Sequence, residues 1–402
     1  MKIKVRPEDF VVQELATLKV SDRVQAWQIF RLIKTEWDTF DLVDLLSRRL
    51  KIPKKDIRFG GIKDRFAHTE QLISIRNRGR QPQAIEAEAR DKRFNLTLVG
   101  YSPAPMSARS VRSNRFTVTI RSIHQADLER YVYNAGLVSR WGLPNYYDEQ
   151  RFGSARHGQG FMGREIFLGR REEALRLFFQ PCGHDDRKSR ALKSCVVQNW
   201  GNWRHCLPLA FGEYRRILAY LSEHQRAFHR ALSLIDRRFL LFVLNAYQSL
   251  LFNRILSEYL TVFGAEHGLQ LDRHVYRWGT FLFFNELSEG LVRRLKETTL
   301  PVPGWDSRIR DPVVQRITST VLEQEGIELR DLKIRQMSGM YVNGIERPAL
   351  MVPENFNVVD IEDDELYENK KKMTLEFSLP RGGYATLVLK RLGAGGNVEG
   401  GR

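Results

Sequence analysis

The stretch Gly60-Gly61-Ile62-Lys63-Asp64-Arg65-Phe66-Ala67-His68-Thr69-Glu70-Gln71 sets one carboxylate between two cations, directly after two glycines. An ionised Asp64 in a positive neighbourhood, on adaptable backbone, is equipped to act as a nucleophile or a base toward an anionic polymer. The same run also describes a solvated surface loop, and short motifs match by chance often enough that charge alone favours the loop. His68 is a second titratable group in the run, but a histidine in a motif is not itself a sign of general-base chemistry when a carboxylate is at hand.

The rest of the composition shifts that balance. The 402 residues carry 64 Lys+Arg against 48 Asp+Glu, a formal charge of +16. Such an excess favours polyanionic partners, because each neutralised phosphate releases condensed counterions. Arginine dominates many of the basic clusters, and its planar fork suits phosphates and stacked bases better than lysine does. With 42% hydrophobic and 11% aromatic residues the chain can build a sizeable core, and its length suits two domains. No run of eighteen apolar residues occurs, so no transmembrane helix is expected. The start, Met1-Lys2-Ile3-Lys4-Val5-Arg6-Pro7, lacks the apolar centre of a signal peptide, and a cytoplasmic location is expected. Three cysteines, Cys182, Cys195 and Cys206, argue against a disulfide framework. With His184 and His205 they show no zinc-type spacing, so buried or idle thiols and no metal site are expected.

The elements that must position Asp64 read as a mixture of strands and helices. Trp27 to Ile33 and Leu72 to Ile75 suit strands. Phe94 to Val99 and Phe116 to Arg121 alternate with period two. Thr39 to Leu46 reads as an amphipathic helix with Thr39 as its cap, and Leu128 to Val138 also looks helical. From about 155 to 340 the pattern turns helical and arginine-rich, over 171–179, 207–230, 238–261 and 289–297, with 320–325 beginning another helix. Residues 341–402 return to strand chemistry and end in a tail, 393–402, expected to be flexible. The expected organisation is an α+β fold, with a largely antiparallel sheet built from 1–154 and 341–402 and interrupted by a mostly helical insertion, 155–340.

Four further segments mix glycine, aromatics and side chains able to bind bases or phosphate. They are Pro7 to Glu14, Asn114-Arg115-Phe116, Gly142 to Gly153, and Asn245 to Asn253. With them the chain resembles the TruD-type tRNA pseudouridine synthases. Gly61 to Gln71 meets the family pattern Gly-x-Lys-Asp-Arg-x-Ala-x-Thr-x-Gln. Asn145 to Gly153 ends in the family's Gln-Arg-Phe-Gly, Ala246 to Asn253 matches its Ala-x-Gln-Ser and Phe-Asn, and Phe377 to Thr386 matches its closing segment. Four collinear matches over nearly the whole chain are specific where one is weak. Two places depart from the pattern: Asp148 stands where the family usually has glycine, and Ser21 to Trp27 lacks its usual glycine-rich segment.

The resemblance implies a pseudouridine-synthase catalytic domain interrupted by a TRUD insertion, acting on RNA, with uridine 13 of tRNA as the leading target and no cofactor. It implies no membrane and no obligate protein partner. Asp64 becomes the catalytic carboxylate, attacking C1′ or taking the C2′ proton. Lys63, in preference to Arg65, is expected to reach the site. Asn114 is expected to hold Asp64 or the nucleotide by hydrogen bonds. Phe116 is either a ring for the target base or a strand core residue. Arg65, Gln150, Arg151 and Phe152 are candidate RNA contacts, the last three equally readable as loop support. Gln248 and Ser249 read as helix packing, and Glu14 as an orienting group or the partner of a nearby arginine. The target base must leave its stack before it can react. Two other functions remain: an RNA-binding or RNA-folding protein that keeps the fold without catalysis, and a metal-dependent RNA hydrolase, for which no motif groups enough carboxylates.

Overall fold

The computed structural model describes residues 1–155, 157–334 and 340–395; of the tail expected to be flexible, 396–402 lie outside these. The chain forms two compact units, Met1–Leu143 with Met351–Arg402, and Pro144–Leu350.

The first unit is built on one eight-stranded sheet. In chain order its elements are β1 (Phe10–Ala16), β2 (Trp27–Thr35), α1 (Thr39–Arg49), β3 (Ile57–Phe59), β4 (His68–Arg76), α2 (Pro82–Ala89), β5 (Phe94–Ser102), β6 (Val111–Ile123) and α3 (Gln125–Trp141). They are completed, after the second unit, by β7 (Glu354–Asp363), β8 (Lys371–Pro380) and a helix, Ala385–Leu392. The strands lie in the order β7-β8-β6-β1-β4-β2-β5, with β3 paired to β4. Only β1 and β4 run parallel; the remaining pairs are antiparallel. The expected rejoining of the C-terminal strands to the N-terminal sheet is observed, β8 lying against β6.

Alternation decides what each face carries, since residues two apart share a face. On one side Phe30, Leu32, Ile73, Ile75, Phe94 and Leu96 bury against Leu42 and Leu46 of α1 and Ile85 of α2. Removing a large side chain such as Leu46 from this layer should cost about 2–5 kcal/mol. Asp38, not Thr39, caps α1: its carboxylate accepts from the amides of Phe40 (2.7 Å) and Asp41 (3.3 Å). The turn after β8 has Gly382 at φ +83°, and the Gly383 amide donates to the Pro380 carbonyl. Tyr384 then caps a helix, where a strand was expected, because Ala385 to Leu392 places Ala385, Val388, Leu389 and Leu392 on one buried face.

The second unit is mostly helical, with a small hairpin of Leu271–Tyr276 and Gly279–Phe284. Its longest element, Arg237–His267, is long and apolar enough by composition to cross a bilayer, yet most of its apolar length is buried. The expected helix at 207–230 is broken into Leu207–Leu209, Gly212–Glu223 and Phe228–Ser233. Pro208 and Gly212, at φ +50°, interrupt its first part. Cys195 and Cys206 are joined as a disulfide, their Cα atoms 5.9 Å apart, which corrects the expectation of idle thiols; Cys182 is free. They lie on two consecutive helices, Arg187–Gln198 and Trp203–Cys206.

Candidate active site

Asp64 sits on the loop between β3 and β4, and the surrounding elements pin that loop by its backbone. The Thr39 hydroxyl accepts from the Lys63 amide at 3.1 Å and reaches the Lys63 carbonyl at 3.5 Å. Gln71 donates to the Gly61 carbonyl (3.4 Å). Lys34, on β2 and with no exposed surface, donates from Nζ to the carbonyls of Trp37 (2.7 Å) and Asp64 (3.1 Å). Burial pulls the Lys34 ammonium down to about 8, against the opposing pull of Asp38 and Asp64. Gly60 has no room for a side chain, since a Cβ there would lie 2.3 Å from a Val111 methyl.

Two adjacent residues of the loop then diverge. Lys63 turns inward, its Nζ 2.5 Å from Glu14 Oε2 and 2.9 Å from Asn114 Oδ1. This is a register consequence: Glu14 of β1 lies opposite Asn114 of β6, and Val12 opposite Phe116, so all four share one face. Glu14 has no exposed side-chain surface; of its two expected roles, an orienting group or the partner of an arginine, it takes the first, paired with Lys63 and no arginine. Asp64 turns outward, about a quarter of its side chain exposed. One oxygen meets the Lys4 ammonium; the other accepts from the Phe66 amide at 3.1 Å. Lys4 also stands 4.3 Å over the ring of Phe10. Phe10 is edge-on to Phe116, centroids 6.1 Å apart, and Phe116 stacks on Phe377 at 5.6 Å.

Asp64, Lys63, Asn114 and Phe116 are therefore gathered in one unit, in an arrangement that differs in detail from expectation. Asn114 holds Lys63 and not Asp64. Phe116 is 8% exposed, one member of an aromatic layer with Phe10 and Phe377. Arg65 is exposed, its guanidinium 5.7 Å from the ring of Phe66. Sequence reasoning missed Lys4 and Lys34. A lysine reads as a surface residue, and nothing local says that one at position 34 faces inward. Lys4 does occupy a left-handed backbone conformation, φ +55°, uncommon outside glycine.

Gln150, Arg151 and Phe152 belong to the second unit, in the short helical segment Glu149–Ala155. Gln150 is exposed. Arg151 Nε donates to the Ser249 hydroxyl (3.1 Å), and Phe152 is buried between Phe161 and Tyr276. The Asn253 amide brackets Tyr147, accepting from its N–H and donating to its C=O, both at 2.8 Å. Gln248 donates to the carbonyls of Pro303 and Asn343, each at 2.8 Å. Two of the sequence motifs thus clasp each other, and Asp148, buried, faces the interior and not solvent. Solvent reaches Gln150 and part of Arg151.

Comparison with known proteins places these features in a family context. Residues 1–392 match the family described as tRNA pseudouridine synthase D (TruD). The chain is 31% identical over 401 residues to a probable tRNA pseudouridine synthase D 1 of Methanococcus maripaludis, covering 98% of this chain and 99% of that one. It is 28% identical over 395 residues to tRNA pseudouridine synthase D of Aquifex aeolicus, with 98% of each covered. The crystal structure of a putative tRNA pseudouridine synthase D from Methanosarcina mazei superposes with a TM-score of 0.72 at 24% identity. That likeness in fold covers 97% of this chain and 92% of the other.

Proposed function

The chain belongs to the tRNA pseudouridine synthase D family, a family of isomerases, and on that premise we propose that Asp64 is the carboxylate on which conversion of uridine to pseudouridine turns. The observation that carries this reading is the geometry of the loop. Its backbone is tied down at Gly61, Lys63 and Asp64, while the Asp64 carboxylate is turned outward, about a quarter exposed, and met by a cation, Lys4. A group held to within a fraction of an ångström by its supports is what a reaction at a single ribose carbon needs.

In this reaction the N1–C1′ bond of the uridine breaks, the uracil turns, C5 bonds to C1′, the hydrogen on C5 leaves to solvent as a proton, and N1 takes up a proton. Asp64 either attacks C1′ as a nucleophile or removes the C2′ proton as a base; both place its carboxylate against the ribose. Lys4 supports the reading by keeping one carboxylate oxygen oriented, and the Phe66 amide does the same for the other. Glu14, Lys63 and Asn114 form the platform beneath. Phe116 stands edge-on to Phe10, whose ring Lys4 covers, and is the ring proposed to meet an extruded uracil. Arg65, Gln150 and Arg151 are proposed as contacts to the RNA backbone, and uridine 13 of tRNA as the target.

The test is release of tritium from C5-labelled uridine in tRNA, with chelator present, by wild type and by Asp64→Ala. Release by the wild type only, with tRNA binding retained in the variant, supports the assignment. Tight binding without release from any tRNA would instead favour a binding protein of this fold. Cleavage of the tRNA chain that chelator abolishes, with no tritium release, would point to the metal-dependent hydrolase.

A further inference from the structure

Two side chains beside Asp64 are in the wrong place for a protein that meets only water. Ile62 is 60% exposed and Phe66 is 62% exposed, each two residues from the carboxylate. Phe40, which follows the Thr39 that holds Lys63, is 54% exposed. A single exposed apolar residue needs no explanation, but a cluster around one functional group marks a contact surface. The Phe66 amide donates to Asp64 Oδ1 at 3.1 Å, so the backbone that carries the ring is tied to the carboxylate. Arg65 lies over the same ring, so the exposed apolar surface is bordered by a cation.

The partner is specified by that combination. An aromatic ring beside an arginine is a stacking platform for nucleobases, tolerant of sequence because every base has a π-face. The chain carries a formal charge of +16 and belongs to a tRNA-modifying family, so a nucleic acid is the partner this surface fits. Extruding a base also leaves a gap in a stack, and proteins that unstack nucleic acid commonly fill such gaps with apolar side chains. Resting on the assignment of Asp64, we propose that Ile62 and Phe66 form an apolar rim that packs against the bases flanking the target uridine, replacing the stacking lost when that uridine leaves the helix.

The rim is tested by binding, which does not depend on turnover. Affinity for tRNA is measured in the Asp64→Ala background with Phe66→Ala, Ile62→Ala and Phe66→Trp added separately. The RNA is either intact or carries abasic nucleotides on both sides of the modified uridine, once that uridine has been mapped. Phe66→Ala is expected to weaken binding of intact tRNA roughly 5- to 150-fold, the equivalent of about 1–3 kcal/mol of base–aromatic stacking. Ile62→Ala should lose less, and Phe66→Trp should bind as the parent does. With abasic neighbours the Phe66→Ala loss should shrink to about twofold or less, because the ring then has nothing to stack on. Thermal melting should be unchanged in all three variants, as the side chains are exposed. Parental affinity in both alanine variants, or an equal loss on abasic RNA, overturns the rim. Turnover that survives Asp64→Ala overturns the assignment of Asp64 instead, whatever Phe66 does.

Discussion

Replacing Lys63 by methionine removes the cation from a pair whose other half cannot reach water. Glu14 has no exposed side-chain surface and Lys63 only 7%, with Nζ and Oε2 2.5 Å apart. The other Glu14 oxygen is buried without a hydrogen-bond partner among the described residues, so the carboxylate depends on Lys63. Breaking a buried pair from one side costs about 3–5 kcal/mol, because a charge is left unpaired in a poorly solvating place. For a unit of roughly 200 residues that is a fall in melting temperature of about 6–20 °C. Urea titration followed by tryptophan fluorescence reads the loss, and the variant Lys63→Met with Glu14→Leu should regain most of it, since a packed apolar pair has no charge to strand. A single-variant loss below about 1 kcal/mol, the range of exposed pairs, would refute the reasoning. So would a double variant no more stable than the single.

Lys34 predicts a pH dependence of known sign. Its folded value, about 8, lies below the ordinary 10.5, so between those limits the unfolded chain holds more of the proton and stability rises with pH. Below pH 8 both states are charged and the burial penalty is complete. Urea midpoints at pH 7.5, 8.5 and 9.5 should therefore climb in wild type relative to Lys34→Met; parallel behaviour would contradict the burial of that ammonium. Asn253→Ala should cost about 2–3 kcal/mol in chemical denaturation, because it strips both hydrogen bonds from a buried segment at Tyr147. Thiol titration of the native protein without reductant should find one reactive group, Cys182. Cys206→Ser should cost about 3 kcal/mol, the loop-entropy value for a sequence separation of 11; three titratable thiols in the oxidised protein would contradict the pairing.

What could be read before folding depended on whether the signal was local. Phe94 to Val99 and Phe116 to Arg121 alternate apolar and polar because one face of each strand is buried, and both are strands. The start of Pro312–Glu325 was missed although Asp311 caps it, Pro312 stands at its first position, and Val314, Ile317, Val321 and Leu322 recur at helical spacing. Glu354–Asp363 was also missed: it is an edge strand with almost every residue exposed, so no face is marked by hydrophobicity. Within the site, Asp64 was legible from its charge setting and the family pattern. Lys4 and Lys34 were not, because their roles come from strands and loops that are distant in sequence. Thr39 was read as a cap on its type alone; Asp38 caps better, which leaves the Thr39 hydroxyl for Lys63. The Asn253–Tyr147 clasp spans 106 residues, and no spacing rule announces it.

The split of the first unit around the second also sets a timetable for synthesis. β6 pairs with β1 on one side and β8 on the other, Phe116 facing Phe377 in that register. On the ribosome β6 is complete while β8 is still roughly 250 residues away, a delay of about 10–50 s at ordinary elongation rates. Throughout it, the strand that carries Asn114 and Phe116 has an open edge able to pair with the wrong chain. The intervening residues shorten the hazard by folding as a body of their own, which reduces the loop to be closed from a long coil to the separation of that body's ends. The nascent chain therefore holds its aromatic layer half-built until nearly its last residues emerge, and a ribosome stalled inside 144–370 exposes an adhesive, catalytically incomplete sheet.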